Sequence, residues 1–275
     1  MTVMGDMAKT IAVTNQKGGV GKTTTSVNLA ASLAANDKRV LLIDFDPQGN
    51  ASMGSGIDKN LVETSSYDVL IDSMSIEQAI LKPDDVQFAV LASNVDLSGA
   101  EVHLLEKTDR ELVLKKALTE VQTSFDYILI DCPPSLNMLT INALVAAESV
   151  LIPMQCEYYA LEGLSALMDT INKIRATLNP HLVIEGLLRT MYDPRNKLSL
   201  QVTEQLHKYF GDKVYETVVP RNVRLAEAPS HGVPVLSYDN TSKGALAYLA
   251  LAEELINKNQ EIVEETISDV EAEIA

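Results

Sequence analysis

Apolar residues along this chain come in short runs, and the runs are separated by segments with a helical period. Thr10-Ile-Ala-Val-Thr14 is the first run; a Gly-rich turn follows, then an Ala- and Leu-rich segment from Thr24 to Asn36. Arg39-Val-Leu-Leu-Ile-Asp44 holds four consecutive apolar residues, the mark of a strand covered on both faces. Tyr127-Ile-Leu-Ile-Asp131 and Val150-Leu-Ile-Pro153 repeat it, and Val183 to Leu188 and Val214 to Val219 read as further strands. Between Ala160 and Leu178, Leu161, Leu164, Leu167, Met168, Ile171 and Ile174 recur at helical spacing. Alternation of this kind predicts an α/β fold: a mainly parallel twisted sheet with helices on both faces. No internal repeat or linker divides it. The expected organisation is one domain over residues 9–255, followed by an acidic tail at 256–275.

Composition narrows the setting. The 275 residues are 46% hydrophobic and 22% charged, enough to fill a core and unlike a disordered or low-complexity chain. No run of apolar residues reaches the roughly 18 needed to span a bilayer. Met1 to Lys9 lacks the basic and apolar segments of a signal peptide. Cys132 and Cys156 are too few for a disulfide framework or a four-cysteine zinc site. A reducing cytoplasm is the expected compartment. The net charge of −16 argues against general affinity for nucleic acid or anionic lipid, but it is unevenly spread. From Glu253 to Ala275 eight acids face one lysine, a net of −7. Leu255, Ile256, Ile262, Val263, Ile267, Val270 and Ile274 could still line one face of a solvated terminal helix.

The chemistry concentrates after the first strand, in Lys17-Gly-Gly-Val-Gly-Lys-Thr-Thr24. A standard phosphate loop, G-x-x-x-x-G-K-[ST], wants glycine at 16, where Gln16 stands. Gly18, Gly19, Val20 and Gly21 can nevertheless turn consecutive backbone N–H groups onto phosphate oxygens, and the following helix adds its positive end. Lys22 would reach the β- and γ-phosphates, the Thr23 hydroxyl would ligate Mg²⁺, and Thr24 completes the cradle. Asp44 and Asp46 follow the second strand and Asp131 ends another. Carboxylates at such strand ends suit Mg²⁺ held through water. Asp44 reads as structural and Asp131 as a Walker B carboxylate.

A second lysine at the start of the loop, Lys17, resembles the signature lysine of the deviant Walker A ATPases, which include ParA, MinD, the nitrogenase iron protein and the arsenite-pump ATPase. Quotable stretches bring the likeness closest to the ParA/Soj type. They are Asn15-Gln-Lys-Gly-Gly-Val-Gly-Lys-Thr-Thr-Thr25, Asp46-Pro-Gln-Gly-Asn50, Gln155-Cys-Glu-Tyr-Tyr-Ala-Leu-Glu-Gly163 and Pro220-Arg-Asn-Val-Arg-Leu-Ala-Glu-Ala-Pro-Ser-His-Gly232. The resemblance implies an ATP- and Mg²⁺-dependent switch for chromosome or plasmid partitioning. Its ATP-bound form would be a sandwich dimer in which Lys17 contacts the phosphates held by the partner subunit. Asp46 would position the attacking water and the metal shell, and Pro220 and Asn222 would flank the adenine. The implied partners are a second copy, non-specific double-stranded DNA and a ParB-type protein that stimulates slow hydrolysis; the implied location is the nucleoid.

Rivals can be weighed against the residues. MinD docks on lipid through a basic amphipathic tail, which the −7 here opposes. An iron–sulfur protein would place its cysteines among glycines, whereas Cys132 precedes two prolines and Cys156 lies in Gln-Cys-Glu-Tyr. With nine residues before the first strand, an operator-reading helix-turn-helix is not expected in this sequence. A small-molecule kinase or ligase would need an acid–base pair, and His103, His181, His207 and His231 are scattered. DNA, finally, needs a local basic face rather than a basic chain. From Arg189 to Arg224 seven bases against four acids leave +3. Arg195 and Arg224 match family positions implicated in DNA contact, with Arg189, Lys197 and Arg221 as weaker candidates.

Overall fold

The computed structural model describes the backbone of residues 7–274 and side chains from 7 to 260. Eight strands form one sheet: β1 (Lys9–Val13), β2 (Val40–Asp44), β3 (Ile80–Leu81), β4 (Ala89–Leu91), β5 (Tyr127–Asp131), β6 (Ser149–Gln155), β7 (Val183–Tyr192) and β8 (Val214–Pro220). Their spatial order is β3-β4-β2-β5-β1-β6-β7-β8. All neighbours run parallel except β3 with β4. The predicted α/β architecture is therefore observed. The expected strands and the two expected helices are present, now Lys22–Ala35 (α1) and Ala160–Thr177. The short strands β3 and β4, at one side of the sheet, carry no clear sequence signal. Ala89–Leu91 is extended because it adds to β2 through the register Leu41↔Ala89 to Ile43↔Leu91, a tertiary cause.

Strict alternation sends the apolar strand residues to two cores. Ala12, Leu41, Ile43, Ile128, Ile130 and Ile152 face one side, with Leu139 and Leu144 and the Leu164, Leu167, Ile171, Ile174 stripe of helix Ala160–Thr177 packed on them. Ile11, Val13, Leu42, Leu129 and Leu188 face the other, beneath α1 and the helix Lys243–Ile274. From that last helix Ala245, Tyr248, Leu251 and Leu255 are buried. Ile262 and the apolar residues beyond it lie outside the described side chains, as do residues 1–6.

The chain leaves β1 through α1, crosses to β2, and returns so that β5 fills the gap between them. It then passes to the other side of β1 as β6. This reversal opens a crevice at the carboxyl ends of β1, β2 and β5, where open α/β sheets bind ligands.

Gly186 in β7 is a packing requirement. A Cβ there would collide with the ring of Tyr215, a side chain with no solvent exposure. We expect Gly186→Ala to cost about 1–3 kcal/mol, read as a lower urea midpoint at unchanged slope. Tyr215→Leu in the same chain should recover part of that loss.

Candidate nucleotide site

The loop between β1 and α1 is tied at both ends. Asn15 donates its side-chain amide to the Pro153 carbonyl at 2.9 Å and accepts the Lys17 N–H at 3.0 Å. Thr190 donates its hydroxyl to the Val20 carbonyl at 2.7 Å. Gly19 and Gly21 have φ of 72° and 85°, a left-handed conformation that glycine adopts without a Cβ clash. The departure at Gln16 thus leaves the two demanding positions served. Lys22, Thr23 and Thr24 form the first turn of α1, so its positive end opens onto the crevice.

Lys22 is buried and its ammonium donates to the Lys17 carbonyl at 3.3 Å. Burial lowers its pKa, and the nearby Asp131 and Asp46 act in the opposite direction. Asp44 and Asp131 are register partners at the ends of β2 and β5, both without solvent exposure. Burial, reinforced by the charge of Asp44, pushes Asp131 up to about 7 even though Ser26 and Thr23 donate to it at 2.7 and 2.8 Å. Burial likewise raises Asp44 to about 6, against hydrogen bonds from Ser52.

A chain of hydroxyls carries this geometry to Asp46. Ser52 donates both its N–H and its hydroxyl to Asp44 at 2.7 Å. Its oxygen accepts the Ser93 N–H at 2.9 Å, and the Ser93 hydroxyl donates to the Asp46 carbonyl at 2.9 Å. Asp46 itself is half-buried and takes the Gln48 N–H on its carboxylate at 2.9 Å. Asp44 is structural, as its place in the sequence suggested. Ser93 and Thr190 had no signal in the sequence, because they reach the site from distant segments; Ser26 and Ser52 lie beside the motif residues, but only the fold turns their hydroxyls onto Asp131 and Asp44.

Thr23 has the right chemistry for a metal. Donating its proton to Asp131 leaves oxygen lone pairs for a cation. A dication there would favour the ionised form of Asp131, which burial disfavours. Among the described residues no three His, Cys, Asp or Glu side chains cluster as a metal cage. Both cysteines are buried.

Lys17 points elsewhere. It is exposed, and its ammonium meets Glu157 at 2.6 Å instead of turning into the cradle beside Lys22. Next to the loop, Pro220, Asn222, Leu225, Tyr248, Met191 and Thr190 line a cavity of about 180 Å³. Asn222 Oδ1 caps helix Val223–Glu227 by accepting from Arg224 and Leu225. Met191 is held at φ 47°, a conformation costing about 1–3 kcal/mol in a non-glycine residue, with its sulfur accepting from Gln155.

Of the five basic candidates, four lie on one rim. Tyr192 and Pro220 are register partners at the ends of β7 and β8, and the loops and first helical turns beyond them carry Arg195, Lys197, Arg221 and Arg224, all exposed. Arg195 pairs with Asp193 at 2.8 Å, and Arg224 with Glu227 at 2.8 Å and Asp239 at 3.3 Å. Exposed pairs are worth only about 0–1 kcal/mol, so a phosphate can displace them. Lys197 opens helix Lys197–Phe210, where its charge opposes the helix dipole. Arg189 must be removed from the set. It is buried in β7, and its guanidinium donates to the Tyr215 and Glu216 carbonyls at 2.7 and 3.1 Å.

The raised Asp131 pKa gives a signed prediction. The native carboxyl keeps a proton that the unfolded chain has lost, so its contribution to stability is present at low pH and lost as pH rises through about 7. Without nucleotide, Asp131→Asn should melt a few degrees above wild type at pH 8, and the gap should close toward pH 5. An equal gap at both would show that the carboxyl is not protonated in the native state.

Residues 8–184 match a family described as an AAA domain. The sporulation initiation inhibitor protein Soj of Bacillus subtilis is 56% identical over 249 residues, covering 90% of this chain and 98% of Soj. The chromosome partitioning protein ParA of Caulobacter vibrioides is 50% identical over 255 residues, 92% of this chain and 96% of that one. Among solved structures, a cobyrinic acid a,c-diamide synthase from Mycobacterium smegmatis with bound ADP and magnesium superposes at TM-score 0.81. It is 36% identical, over 92% of this chain and 96% of that one. A phosphate loop carrying a second lysine, two buried strand-end carboxylates and these full-length relatives have one reading: the chain belongs to the ParA/Soj-type chromosome-partitioning ATPases of the deviant Walker A family.

Proposed function

We propose that this ATPase works as a nucleotide-dependent switch that closes as a dimer on ATP, binds DNA without sequence preference, and opens on hydrolysis. The observation that carries the reading is Lys17. Its ammonium is turned out of its own phosphate cradle and held by an exposed carboxylate, Glu157, at 2.6 Å. A cation placed there can serve an anion brought by a second copy, and the γ-phosphate of that copy is such an anion. The Lys17–Glu157 pair, exposed on both sides, is weak enough to exchange.

Within one subunit, the loop N–H groups and Lys22 would hold the β- and γ-phosphates, and Thr23 and Asp131 would hold Mg²⁺, the latter through water. Magnesium, when bound, would neutralise charge between the phosphates. Asp46, held by Asp44, Ser52 and Ser93, would orient the attacking water. In the side cavity Pro220 would cover the adenine, and the Asn222 amide, whose oxygen is already engaged, would offer its N–H₂ to a ring nitrogen. Closing two copies would set two rims bearing Arg195, Lys197, Arg221 and Arg224 against one duplex. Backbone contacts of that kind need several cations and weaken with salt. The family's ParB-type partner would accelerate hydrolysis, and the location would be the nucleoid. Among the described residues no helix is long and apolar enough to cross a membrane.

The residues give separable outcomes. Lys22→Ala should abolish ATP binding or closure, measured by nucleotide titration and sedimentation. Asp46→Ala should bind ATP but turn over at least tenfold more slowly, accumulating the dimer; turnover at the wild-type rate would remove its catalytic role. Glu157→Gln should free Lys17 and lower the ATP concentration needed for dimerisation by about two- to fivefold. Binding to DNA should require ATP, fail with ADP, weaken from 50 to 200 mM salt, and fall on charge reversal at Arg195 and Arg224. Turnover that requires a small-molecule acceptor would instead favour a kinase or ligase on this fold.

A further inference from the structure

The segment from Asn222 to Asp239 holds itself together as one body. Arg224 pairs with Glu227 at 2.8 Å and with Asp239 at 3.3 Å. The Tyr238 hydroxyl donates to Glu227 at 3.3 Å, and the His231 ring stacks on that of Tyr238 at 4.8 Å between centroids. At one end of the body Asn222 lines the side cavity next to the phosphate loop. Leu225, Ala228 and Val235 turn into the core beneath the last helix.

Toward α1 the body is not solidly packed. A cavity of about 480 Å³ opens between them, lined by Val27 and Asn28 of α1, by Met53, and by Ala228 and Val233 of the body. An open space supplies no partner atoms, so the position of the body on this side depends on contacts at the edges. One is Gly232 against Gly56, with φ of 67° and 83°. A Cβ on either would press on the backbone of the other, at 3.2 to 3.3 Å. The second contact is Asn28.

Asn28 is buried in α1, one turn beyond Thr24. Its Nδ2 donates to the Thr24 carbonyl at 2.7 Å, and its Oδ1 accepts the Val235 N–H at 2.7 Å. Val235 begins helix Val235–Tyr238, so its N–H has no partner within that helix. The arrangement needs a donor and an acceptor on one short side chain; aspartate would supply only the acceptor and leucine neither. Thr24 belongs to the first turn of α1 and also lines the side cavity. Asn28 therefore joins the helix that presents the phosphate cradle to the body that carries Asn222.

We propose that Asn28 is a positioning residue for ATP: by tying the Val235 N–H to the first turn of α1, it fixes the spacing between the phosphate cradle and the cavity that would take the adenine. The assignment rests on the reading above that places the base beside Pro220 and Asn222. Without the tie, the body is still held at Gly232 and in the core, and the loop N–H groups and Lys22 keep their places. The loss therefore falls on the base and spares the phosphates. A polyphosphate with no base does not feel it.

The test titrates the full chain, with Mg²⁺, against ATP and against inorganic tripolyphosphate. Asn28→Ala should weaken ATP at least fivefold and leave tripolyphosphate within twofold, and it should raise KM for ATP with kcat within twofold. Val235→Pro removes the same hydrogen bond from its other side. Pro234 is already extended at ψ 155°, as a residue before proline prefers, and the first position of a helix accepts proline. It should give the same result, and it decides alone if Asn28→Ala does not fold. Because the two break one contact, their double variant should bind ATP within twofold of the weaker single variant. Asn28→Asp keeps the oxygen that faces Val235 and should keep the wild-type ratio of the two affinities. Equal weakening of both ligands, or unchanged ATP affinity, overturns the role of Asn28. Ala226→Trp obstructs the side cavity from its exposed rim. A wild-type affinity ratio in that variant overturns the base reading and Asn28 with it. A ratio that falls there but holds in Asn28→Ala and Val235→Pro overturns Asn28 alone.

Discussion

Two carboxylates, Asp44 and Asp131, face each other across neighbouring strand ends with no access to solvent, and the crevice is organised around that cost. Buried like charges do not stand without donors or protons. Ser26, Thr23 and Ser52 supply the donors, and Lys22 lies close enough to feel Asp131. Each of those donors is also a handle. Thr23 lies in the first turn of α1, Ser26 lies further along it, and Ser52 leads through Ser93 to Asp46. The electrostatic need of the pair therefore couples the phosphate cradle to the segments on both sides of it.

The sheet makes such coupling short. Because β5 lies between β1 and β2, segments far apart in the chain end within hydrogen-bond reach of one another. Dry, apolar packing on both faces keeps the strand ends in place, while the rims beyond them carry the exposed charges. A site that binds and hydrolyses ATP benefits from that division: a rigid floor and polar, exchangeable edges. The Lys17–Glu157 pair and the Arg195 and Arg224 pairs are all of the exchangeable kind.

Much of this was legible from residue order. Runs such as Val40-Leu-Leu-Ile43, set between turn signals, read as strands buried on both faces, and the glycines before Lys22 read as a loop free to enter left-handed backbone. Strands β3 and β4 were not legible, since two or three residues hold no period and take their conformation from β2. Arg189 illustrates the same gap. In a list of basic residues it equals Arg195, yet its place in β7 turns it inward onto the carbonyls of β8.

The sequence by itself determined the fold class, the phosphate loop, the carboxylates that serve it and the family, because these depend on local spacing and on residue types that have few other uses. Tertiary structure alone decided which hydroxyls donate to the buried pair, that Glu157 holds Lys17, and which arginines reach solvent. Those outcomes depend on which segments the sheet order brings together, and on which way each side chain leaves its strand or helix. Neither is recorded in the spacing of residues along the chain.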